Sequence, residues 1–165
     1  MTLNKALFLD RDGVINHDYN YVHKQENFDF VDGVFELVDV ARTKNYKIII
    51  VTNQAGIGRK FYTEAQFHEL MDWVKTRLNY DKVYFCPHHP DDACKCRKPA
   101  PGMILQARDE FKLDLAASIL IGDRETDVLA AKNAGIGTKI LLNTTPDKTE
   151  ADHIIQSLKD AHKYL

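Results

Sequence analysis

The chain has 165 residues, with 22 lysines and arginines against 24 aspartates and glutamates, and a formal net charge of −2. This length predicts one domain over residues 1–165, which buries roughly two-thirds of the surface that the unfolded chain exposes. The balanced charge excludes a general attraction to nucleic acid or anionic membranes, and no stretch approaches the roughly 20 apolar residues of a membrane span.

Apolar runs and amphipathic segments alternate along the chain. We expect strands over residues 6–9, 48–51, 82–86, 118–121 and 139–142. We expect helices over 33–45, 63–79 and 101–111, from 123 or 126 to about 135, and over 151–164. This alternation predicts the α/β class, as a three-layer Rossmann-like fold whose parallel sheet has helices on both faces. No insertion is long enough to form a separate cap domain, so the cap is minimal.

The first predicted strand, Ala6 to Leu9, ends in two carboxylates one residue apart. Asp10 and Asp12 stand at the carboxyl end of this strand, where open α/β sheets bind ligands. Two carboxylates so close repel each other unless a cation lies between them or one is protonated. Mg²⁺ is a hard cation that suits such oxygen ligands. The alternative is an aspartate-rich turn in which Gly13 supplies the backbone conformation.

The second predicted strand leads into Thr52, with Asn53 and Gln54 directly after it in a glycine-containing turn. These polar side chains are therefore expected at the same edge of the sheet as the aspartate pair. A helix N-cap is the alternative role for Thr52. Further along, Thr63 and Gln66 have the spacing of a capping box and predict the start of the next helix.

Three cysteines, Cys86, Cys94 and Cys96, lie in a short polar segment with two histidines. An odd number of cysteines argues against a disulfide framework. With His88 they complete a Cys₃His set, which is typical of structural zinc sites and leaves no open position for catalysis. Spacing does not decide firmly between His88 and His89. The alternative is three unliganded cysteines beside surface histidines.

Charged residues follow the cysteine segment and the fourth predicted strand. Lys98 stands next to Arg97 before a predicted helix, whereas Asp123 and Arg124 follow the strand and Asp127 comes one turn later. Each has an alternative role. The three basic residues could be plain surface charges, Asp123 could cap its helix, and Asp127 could be a solvated position.

An aspartate pair, a threonine, a lysine and a further Asp-x-x-x-Asp thus follow one another, mostly at strand ends. This order resembles the four motifs of the haloacid dehalogenase superfamily of phosphohydrolases. The cysteine segment is similar to the zinc loop of its small, cap-poor members that act on heptose bisphosphate and histidinol phosphate. Segments similar to the heptose-bisphosphate enzymes cover nearly the whole chain: Asp10–Asn16, Tyr21–His23, Asn27–Phe30, Thr52–Ile57 and Cys96–Met103.

The resemblance implies a mechanism with Mg²⁺ as the catalytic cofactor and Zn²⁺ as a structural one. Asp10 would attack phosphorus and become an aspartyl-phosphate, while Asp12 would act first as general acid and then as general base. The side chains of Asp10 and Asp123 and the backbone carbonyl of Asp12 would hold Mg²⁺. Thr52 and Lys98 would contact the transferring phosphoryl group, and Lys98 would also orient Asp10.

The resemblance also implies the substrate-binding residues Asp18, Tyr21, Asn53, Gln54, Arg97 and Arg124. The two arginines suit a second, distal phosphate because guanidinium pairs with phosphate bidentately. Asp18 and Tyr21 belong to the segment that resembles the substrate flap of the family, although Tyr21 could simply pack. The implied reaction removes the C7 phosphate of a heptose 1,7-bisphosphate in nucleotide-activated heptose and lipopolysaccharide biosynthesis.

Other functions stay open. A histidinol-phosphate phosphatase is favoured by the short spacing between His88 and Cys94, and Arg124 stands where some heptose enzymes have lysine. A nucleic-acid 3′-phosphatase shares similar motifs, but the chain lacks a basic stripe. A phospho-accepting signalling domain would also pair a strand-end aspartate with Mg²⁺, but Asp12 and the cysteine segment argue against it.

The expected partner is a small-molecule sugar bisphosphate rather than nucleic acid or a membrane. We expect a monomer, since nothing in the sequence demands an oligomer. Residues 1–5 contain no apolar signal core, so we expect a cytoplasmic location.

Overall fold

The computed structural model describes residues 2–142 and 145–165. Its sheet contains the strands β1 (Lys5–Leu9), β2 (Tyr46–Asn53), β3 (Lys82–Cys86), β4 (Ile119–Gly122), β5 (Thr138–Leu142) and β6 (His153–Ile155). Neighbouring strands are parallel, in the order β3-β2-β1-β4-β5-β6. The α-helices are α1 (Val34–Thr43), α2 (Ala55–Gly58), α3 (Glu64–Arg77), α4 (Gly102–Phe111) and α5 (Glu125–Ala134). Within the described residues, no helix combines the length and apolar character needed to cross a membrane.

Both faces of the sheet are covered, and the side chains of β1 alternate between two cores. Leu7 and Leu9 pack with residues of α1 and α3 on one face, whereas Ala6 and Phe8 pack with residues of α4 and α5 on the other. All four side chains are fully buried, which explains why this strand is a continuous apolar run. The predicted three-layer α/β fold is therefore confirmed.

The register of the sheet decides which loops meet. Leu9 of β1 is level with Ile50 of β2 on one side and with Ile121 of β4 on the other. Strands β2 and β3 lie on one side of β1 and β4 to β6 lie on the other, so β1 borders the point where the strand order reverses. Open parallel sheets bind ligands outside the carboxyl ends of their strands at such a point. The residues after β1, β2 and β4 are thus brought together.

The helix starts follow from local chemistry. The predicted capping box is confirmed: Thr63 Oγ1 accepts a hydrogen bond from the Gln66 backbone N–H (3.1 Å), and Gln66 Oε1 accepts one from the Thr63 backbone N–H (2.8 Å). Helix α5 begins at Glu125, between the two predicted starts. Two short elements are not predicted by the sequence pattern: α2, a single turn directly after β2, and a 3₁₀ helix over Gln25–Asn27.

The predicted closing helix over residues 151–164 is wrong. The structure has β6 there, followed by a 3₁₀ helix over Leu158–Tyr164. The β-branched pair Ile154 and Ile155 favours a strand, and pairing with β5 buries Ile155 against the core. Ser157 then begins the 3₁₀ helix, since its side chain accepts a hydrogen bond from the Lys159 backbone N–H (3.2 Å).

Candidate active site

A cavity of about 470 Å³ opens at the carboxyl edge of the sheet. Nine residues that the sequence predicts to act in catalysis or to bind substrate or metal line it: Asp10, Asp12, Asp18, Tyr21, Asn53, Gln54, Arg97, Lys98 and Arg124. Eight more complete the lining: Asn20, Ala55, Arg59, Tyr62, Pro90, Glu125, Thr126 and Asp127. Thr52 and Asp123 are not part of the lining but contact residues that are.

At the floor of the cavity, Lys98 binds two buried carboxylates. Its Nζ donates hydrogen bonds to Asp10 Oδ1 (2.8 Å), to Asp127 Oδ1 (2.6 Å) and to the backbone carbonyl of Val51 (2.9 Å). These bonds use all three ammonium hydrogens. Lys98 is 4% exposed and Asp127 is 2% exposed. The alternatives of a surface lysine and of a solvated Asp127 are therefore wrong.

The ionisation of this cluster is set by burial and by its charges. Burial raises the pKa of Asp10 well above its usual range, as does the Asp127 carboxylate, while Lys98 opposes the shift. Burial also raises the pKa of Asp123. Burial alone would lower the pKa of Lys98, but attraction to Asp10 and Asp127 outweighs it and raises that pKa. Three carboxylates facing one ammonium group leave two negative charges uncompensated when all are ionised.

Asp123 has a carboxylate oxygen available for a cation. Its Oδ1 is buried and has no hydrogen-bond partner. Asp127, by contrast, binds Lys98 through Oδ1 and accepts the backbone N–H groups of Asp123 and Arg124 through Oδ2 (3.1 Å each). The N-cap of α5 is Arg124, so Asp123 is not the helix cap. The oxygens of Asp10, Asp123 and Asp127 lie within 4.8 Å of one another, and this charged oxygen cluster fits Mg²⁺.

Gly13 leaves the space that the Asp123 carboxylate occupies. Its φ of +93° lies in the left-handed region, where a side chain is strained. A Cβ atom at this position would also lie only 2.0 Å from Asp123 Oδ2. The glycine after the aspartate pair is therefore required both by the turn and by the close approach of this carboxylate.

The carboxylate of Asp12 contacts a different set of groups. Its Oδ1 accepts hydrogen bonds from Arg11 Nη2 (2.8 Å) and Asn16 Nδ2 (3.0 Å), and its Oδ2 accepts one from Gln54 Nε2 (3.1 Å). The two neighbouring aspartates are thus separated in role. Asp10 binds an ammonium group, whereas Asp12 is fixed by a guanidinium and two amides.

Arg11 was not identified from the sequence, where it is only the residue between the two aspartates. It is fully buried and also donates a hydrogen bond from Nη2 to the carbonyl of Val22 (2.6 Å). Its guanidinium lies 5.8 and 6.0 Å from the rings of Phe28 and Phe67, within the range of cation–π attraction. Arg11 therefore ties Asp12 to the segment that begins after Tyr21.

A hydrogen-bonded chain connects the end of β2 to this aspartate. Gln54 Nε2 also donates to Thr52 Oγ1 (2.8 Å), and the Tyr62 hydroxyl donates to Gln54 Oε1. Burial raises the pKa of Tyr62 to about 12, so this hydroxyl keeps its proton. The N-cap of α2 is Gln54, so the N-cap alternative for Thr52 is wrong. Asn53 Oδ1 accepts a hydrogen bond from the Lys98 backbone N–H (3.0 Å), and Asn53 Nδ2 donates one to the Lys98 backbone carbonyl (3.3 Å).

A turn over residues 18–21 forms part of the cavity wall. Asp18 Oδ1 accepts the backbone N–H of Asn20 (3.0 Å), and Asp18 Oδ2 accepts from Arg124 Nη2 (3.3 Å). Asn20 and Tyr21 have φ values of +64° and +56°, and such strained backbone concentrates at functional sites. The Tyr21 ring packs edge-on against Phe61 at 4.8 Å. Tyr21 therefore both packs and lines the cavity.

The cysteine segment gathers the four expected metal ligands. Cys86 Sγ lies 3.3 Å from His88 Nδ1, 3.6 Å from Cys94 Sγ and 2.7 Å from Cys96 Sγ. His88 Nδ1 lies 3.2 Å from Cys96 Sγ. His89 is outside the cluster, since its Nδ1 accepts a backbone hydrogen bond two residues on (3.1 Å). This donor set is compatible with tetrahedral zinc, which bonds such ligands at about 2.0–2.3 Å.

Comparison with known proteins places these features in a family. A family model described as HAD-hydrolase-like matches residues 95–161. The chain is 43% identical to the D-glycero-beta-D-manno-heptose-1,7-bisphosphate 7-phosphatase of Yersinia pestis, over 97% of this chain and 94% of that protein. It is 45% identical to the D-glycero-alpha-D-manno-heptose-1,7-bisphosphate 7-phosphatase of Burkholderia mallei, over 98% and 94%.

The fold is similar to that of solved phosphatases over the same length. It matches the crystal structure of D,D-heptose 1,7-bisphosphate phosphatase from B. bronchiseptica, complexed with magnesium and phosphate, with a TM-score of 0.88 and 28% identity. That match covers 97% of each chain. A putative HAD-like phosphatase from Mesorhizobium loti also gives a TM-score of 0.88 at 28% identity, over 98% of this chain and 85% of the other.

Proposed function

This chain belongs to the D-glycero-D-manno-heptose 1,7-bisphosphate 7-phosphatase family of the haloacid dehalogenase superfamily, and we propose that it removes the C7 phosphate of that sugar through an aspartyl-phosphate on Asp10. The observation that carries the proposal is the buried Asp10–Lys98–Asp127 network beside an unpartnered oxygen of Asp123. We place the reaction in nucleotide-activated heptose biosynthesis for lipopolysaccharide, catalysed by a one-domain cytoplasmic monomer.

Asp10 is the nucleophile in this mechanism. One of its carboxylate oxygens bonds to phosphorus, while the bond between phosphorus and the C7 oxygen of the sugar breaks. Lys98 holds Asp10 Oδ1 at 2.8 Å and so fixes the carboxylate for attack. The side chains of Asp10 and Asp123 and the backbone carbonyl of Asp12 would hold Mg²⁺. When bound, Mg²⁺ offsets the repulsion between the carboxylate and the anionic phosphate.

Asp12 is the general acid and general base. It gives a proton to the leaving C7 oxygen. It then takes a proton from the water that attacks phosphorus, which replaces the proton it gave. The bond between phosphorus and Asp10 breaks in this step, so inorganic phosphate is released and Asp10 is restored. Arg11, Asn16 and Gln54 bind both oxygens of Asp12 and fix its orientation.

Thr52 and Lys98 stabilise the transferring phosphoryl group. Lys98 supplies positive charge at the floor of the cavity, where its burial strengthens electrostatic interactions. The Thr52 hydroxyl accepts a hydrogen bond from Gln54, and the carbonyl of Asn53 is 3.5 Å away. This contact is too long to occupy the hydroxyl proton firmly, so Thr52 can donate it to a phosphoryl oxygen.

The rest of the cavity lining binds the sugar and its second phosphate. Arg97 Nη1 is buried without a hydrogen-bond partner and suits a phosphate oxygen. Arg124 also faces the cavity, but Asp18 already binds it, so Asp18 positions this arginine. Tyr21 offers a ring to the sugar. The amides of Asn53 and Gln54 line the wall but mainly hold Lys98 and Asp12.

Replacing Gly13 by Ala tests the placement of Asp123. We expect kcat/KM to fall about 100-fold or more, because the new Cβ displaces the Asp123 carboxylate and small misplacements at a reaction centre cost that much. Gly135→Ala is the matched control, since Gly135 has a similar φ of +91° but nothing within 4 Å of its Cβ position. Gly135→Ala should lose about 1 kcal/mol of unfolding free energy through the strained φ alone, and Gly13→Ala should lose at least as much because its Cβ also meets Asp123. Phosphate release and thermal unfolding measure the two effects, and undiminished turnover in Gly13→Ala contradicts the assignment.

Structural zinc predicts different behaviour for the two adjacent histidines. We expect wild type to bind one zinc ion per chain and His88→Ala to lose it, at a cost on the order of 4 kcal/mol of stability. His89→Ala should keep the metal, because His89 lies outside the ligand cluster. Metal analysis by mass spectrometry and thermal unfolding give the readouts. Equal zinc content and equal stability in the two variants would contradict the zinc site.

Phosphate release in the presence of Mg²⁺ tests the function itself. We expect kcat/KM for one anomer of the heptose 1,7-bisphosphate to exceed that for histidinol phosphate and for a 3′-phosphorylated oligonucleotide by about 100-fold, a transition-state difference of roughly 3 kcal/mol. Both anomers are needed in the assay because relatives named for each are similarly close. A preference for histidinol phosphate would contradict the proposed substrate. An aspartyl-phosphate that persists for minutes would indicate a signalling role instead.

A further inference from the structure

The cavity is lined by four basic side chains, and only two of them have a carboxylate partner. Lys98 pairs with the two carboxylates at the floor, and Arg124 pairs with Asp18. Within the described residues, Arg59 and Arg97 line the same cavity without an ion pair. Nη1 of Arg97 is in addition buried without a hydrogen-bond partner. Two guanidinium groups are therefore available to an anion without displacing a carboxylate of the protein.

Arg59 lies in the cavity wall because α2 ends there. It is the C-cap residue of this helix, and its backbone N–H bonds the carbonyl of Ala55 (2.9 Å). A Cβ atom on the preceding Gly58 would lie 2.5 Å from the backbone nitrogen of His89 and 2.8 Å from the carbonyl oxygen of Pro87. The end of α2 thus lies directly against the backbone of the cysteine segment.

The same segment carries the other free guanidinium. It runs through the candidate zinc ligands from Cys86 to Cys96, contributes Pro90 to the cavity wall, and leads directly into Arg97. Arg59 and Arg97 therefore stand on two elements that touch each other. Because the end of α2 and the cysteine segment touch at Gly58, the backbones of Arg59 and Arg97 are held at the same cavity wall before substrate arrives.

We propose that Arg59 joins Arg97 in binding the phosphate that is not transferred, and that Arg59 thereby determines the preference for a bisphosphate over a monophosphate. This inference rests on the proposed function. Two guanidinium groups offer several N–H donors to one phosphate, and such charge-assisted bonds are stronger than neutral ones. Arg124 is less suited to this phosphate because the neighbouring Asp18 carboxylate already offsets its charge.

The test compares two substrates that differ only in the second phosphate, the heptose 1,7-bisphosphate and the heptose 7-phosphate. Arg59→Gln should lower kcat/KM for the bisphosphate by about 10- to 100-fold, the loss expected for charge-assisted hydrogen bonds. The change should lie mainly in KM, since this phosphate is bound equally in ground and transition states. The monophosphate should be affected less than about threefold, because Arg59 makes no contact that this substrate uses.

Lys60→Gln is the matched control, since Lys60 is the next residue, is exposed, carries the same charge and does not line the cavity. It should leave the rates on both substrates unchanged. An Arg59→Gln enzyme that keeps the wild-type ratio of bisphosphate to monophosphate activity overturns the inference. So does an equal loss on both substrates, which would show a structural effect. A wild-type enzyme without preference for the bisphosphate would instead overturn the proposed function.

Discussion

Replacing Asp10 by Asn is expected to abolish turnover, with kcat reduced at least about 10⁴-fold, as in other enzymes that lose a nucleophile. An amide does not form the acyl-phosphate bond, and the other groups of the cavity do not substitute for it. Asparagine has the shape of aspartate, and its Oδ1 can still accept the hydrogen bond from Lys98. Phosphate release from the bisphosphate substrate measures the loss, and substantial residual turnover would show that another residue attacks phosphorus.

The fold of the Asp10→Asn variant is expected to be intact, and at neutral pH in EDTA its stability should match or exceed that of wild type. Burial raises the pKa of Asp10 in the folded chain. An acid whose pKa is raised on folding stabilises the protein below its unfolded pKa of about 4 and loses this contribution as the pH rises through the folded value. Unfolding curves between pH 4 and 8 check the direction of this effect, because the free energy of unfolding of the variant should rise relative to that of wild type as the pH rises.

Replacing Lys98 by Met is expected to have the largest effect on stability, a loss of about 3–5 kcal/mol, together with nearly complete loss of turnover. Removing one partner of a buried ion pair leaves an uncompensated charge, and here two buried carboxylates lose their common partner. The free energy of unfolding in urea measures the first effect. Phosphate release measures the second.

The control for this substitution is Lys82→Met. Lys82 pairs with Glu110 at 2.6 Å, as close as Lys98 to Asp127, but both of these side chains are 42% exposed. Exposed pairs contribute about 0–1 kcal/mol, so the same chemical change should be almost neutral here. A Lys98→Met variant as stable as Lys82→Met would mean that the buried network does not hold the site together.

The fold was largely predictable because its strands are buried on both faces. A fully buried strand such as β1 is an unbroken apolar run, and parallel strands are usually joined by a helix. The prediction for the C-terminal segment failed because its composition is compatible with either a helix or a strand. The β-branched pair Ile154 and Ile155 favours a strand but is a short signal, and pairing with the edge of β5 decides that Ile155 joins the sheet. The single turn α2 is too short to show helical periodicity.

In the site, the residues that follow strands were predictable, since sheet topology brings strand ends together. Asp10 and Asp123 were identified in this way, whereas Lys98, which precedes a helix, was identified by its place in the order of the motifs. Arg11 and Tyr62 were not, because they act by supporting other side chains, and their partners are known only in three dimensions. Asp18 was linked to the site by resemblance alone. Its contacts with Asn20 and Arg124 give it a positioning role that spacing does not reveal.

The position of β1 has a consequence for how the protein is made. Although it is the first strand, it lies inside the sheet, and Ala6 donates its backbone N–H to Ser118 Oγ, 112 positions away. A nascent chain that has emerged only as far as β3 therefore leaves one edge of β1 unpaired, an exposed edge that invites aggregation. Such a partial chain also lacks Asp123 and Asp127. Catalytic competence must consequently be one of the last properties that the chain acquires, during synthesis and refolding alike.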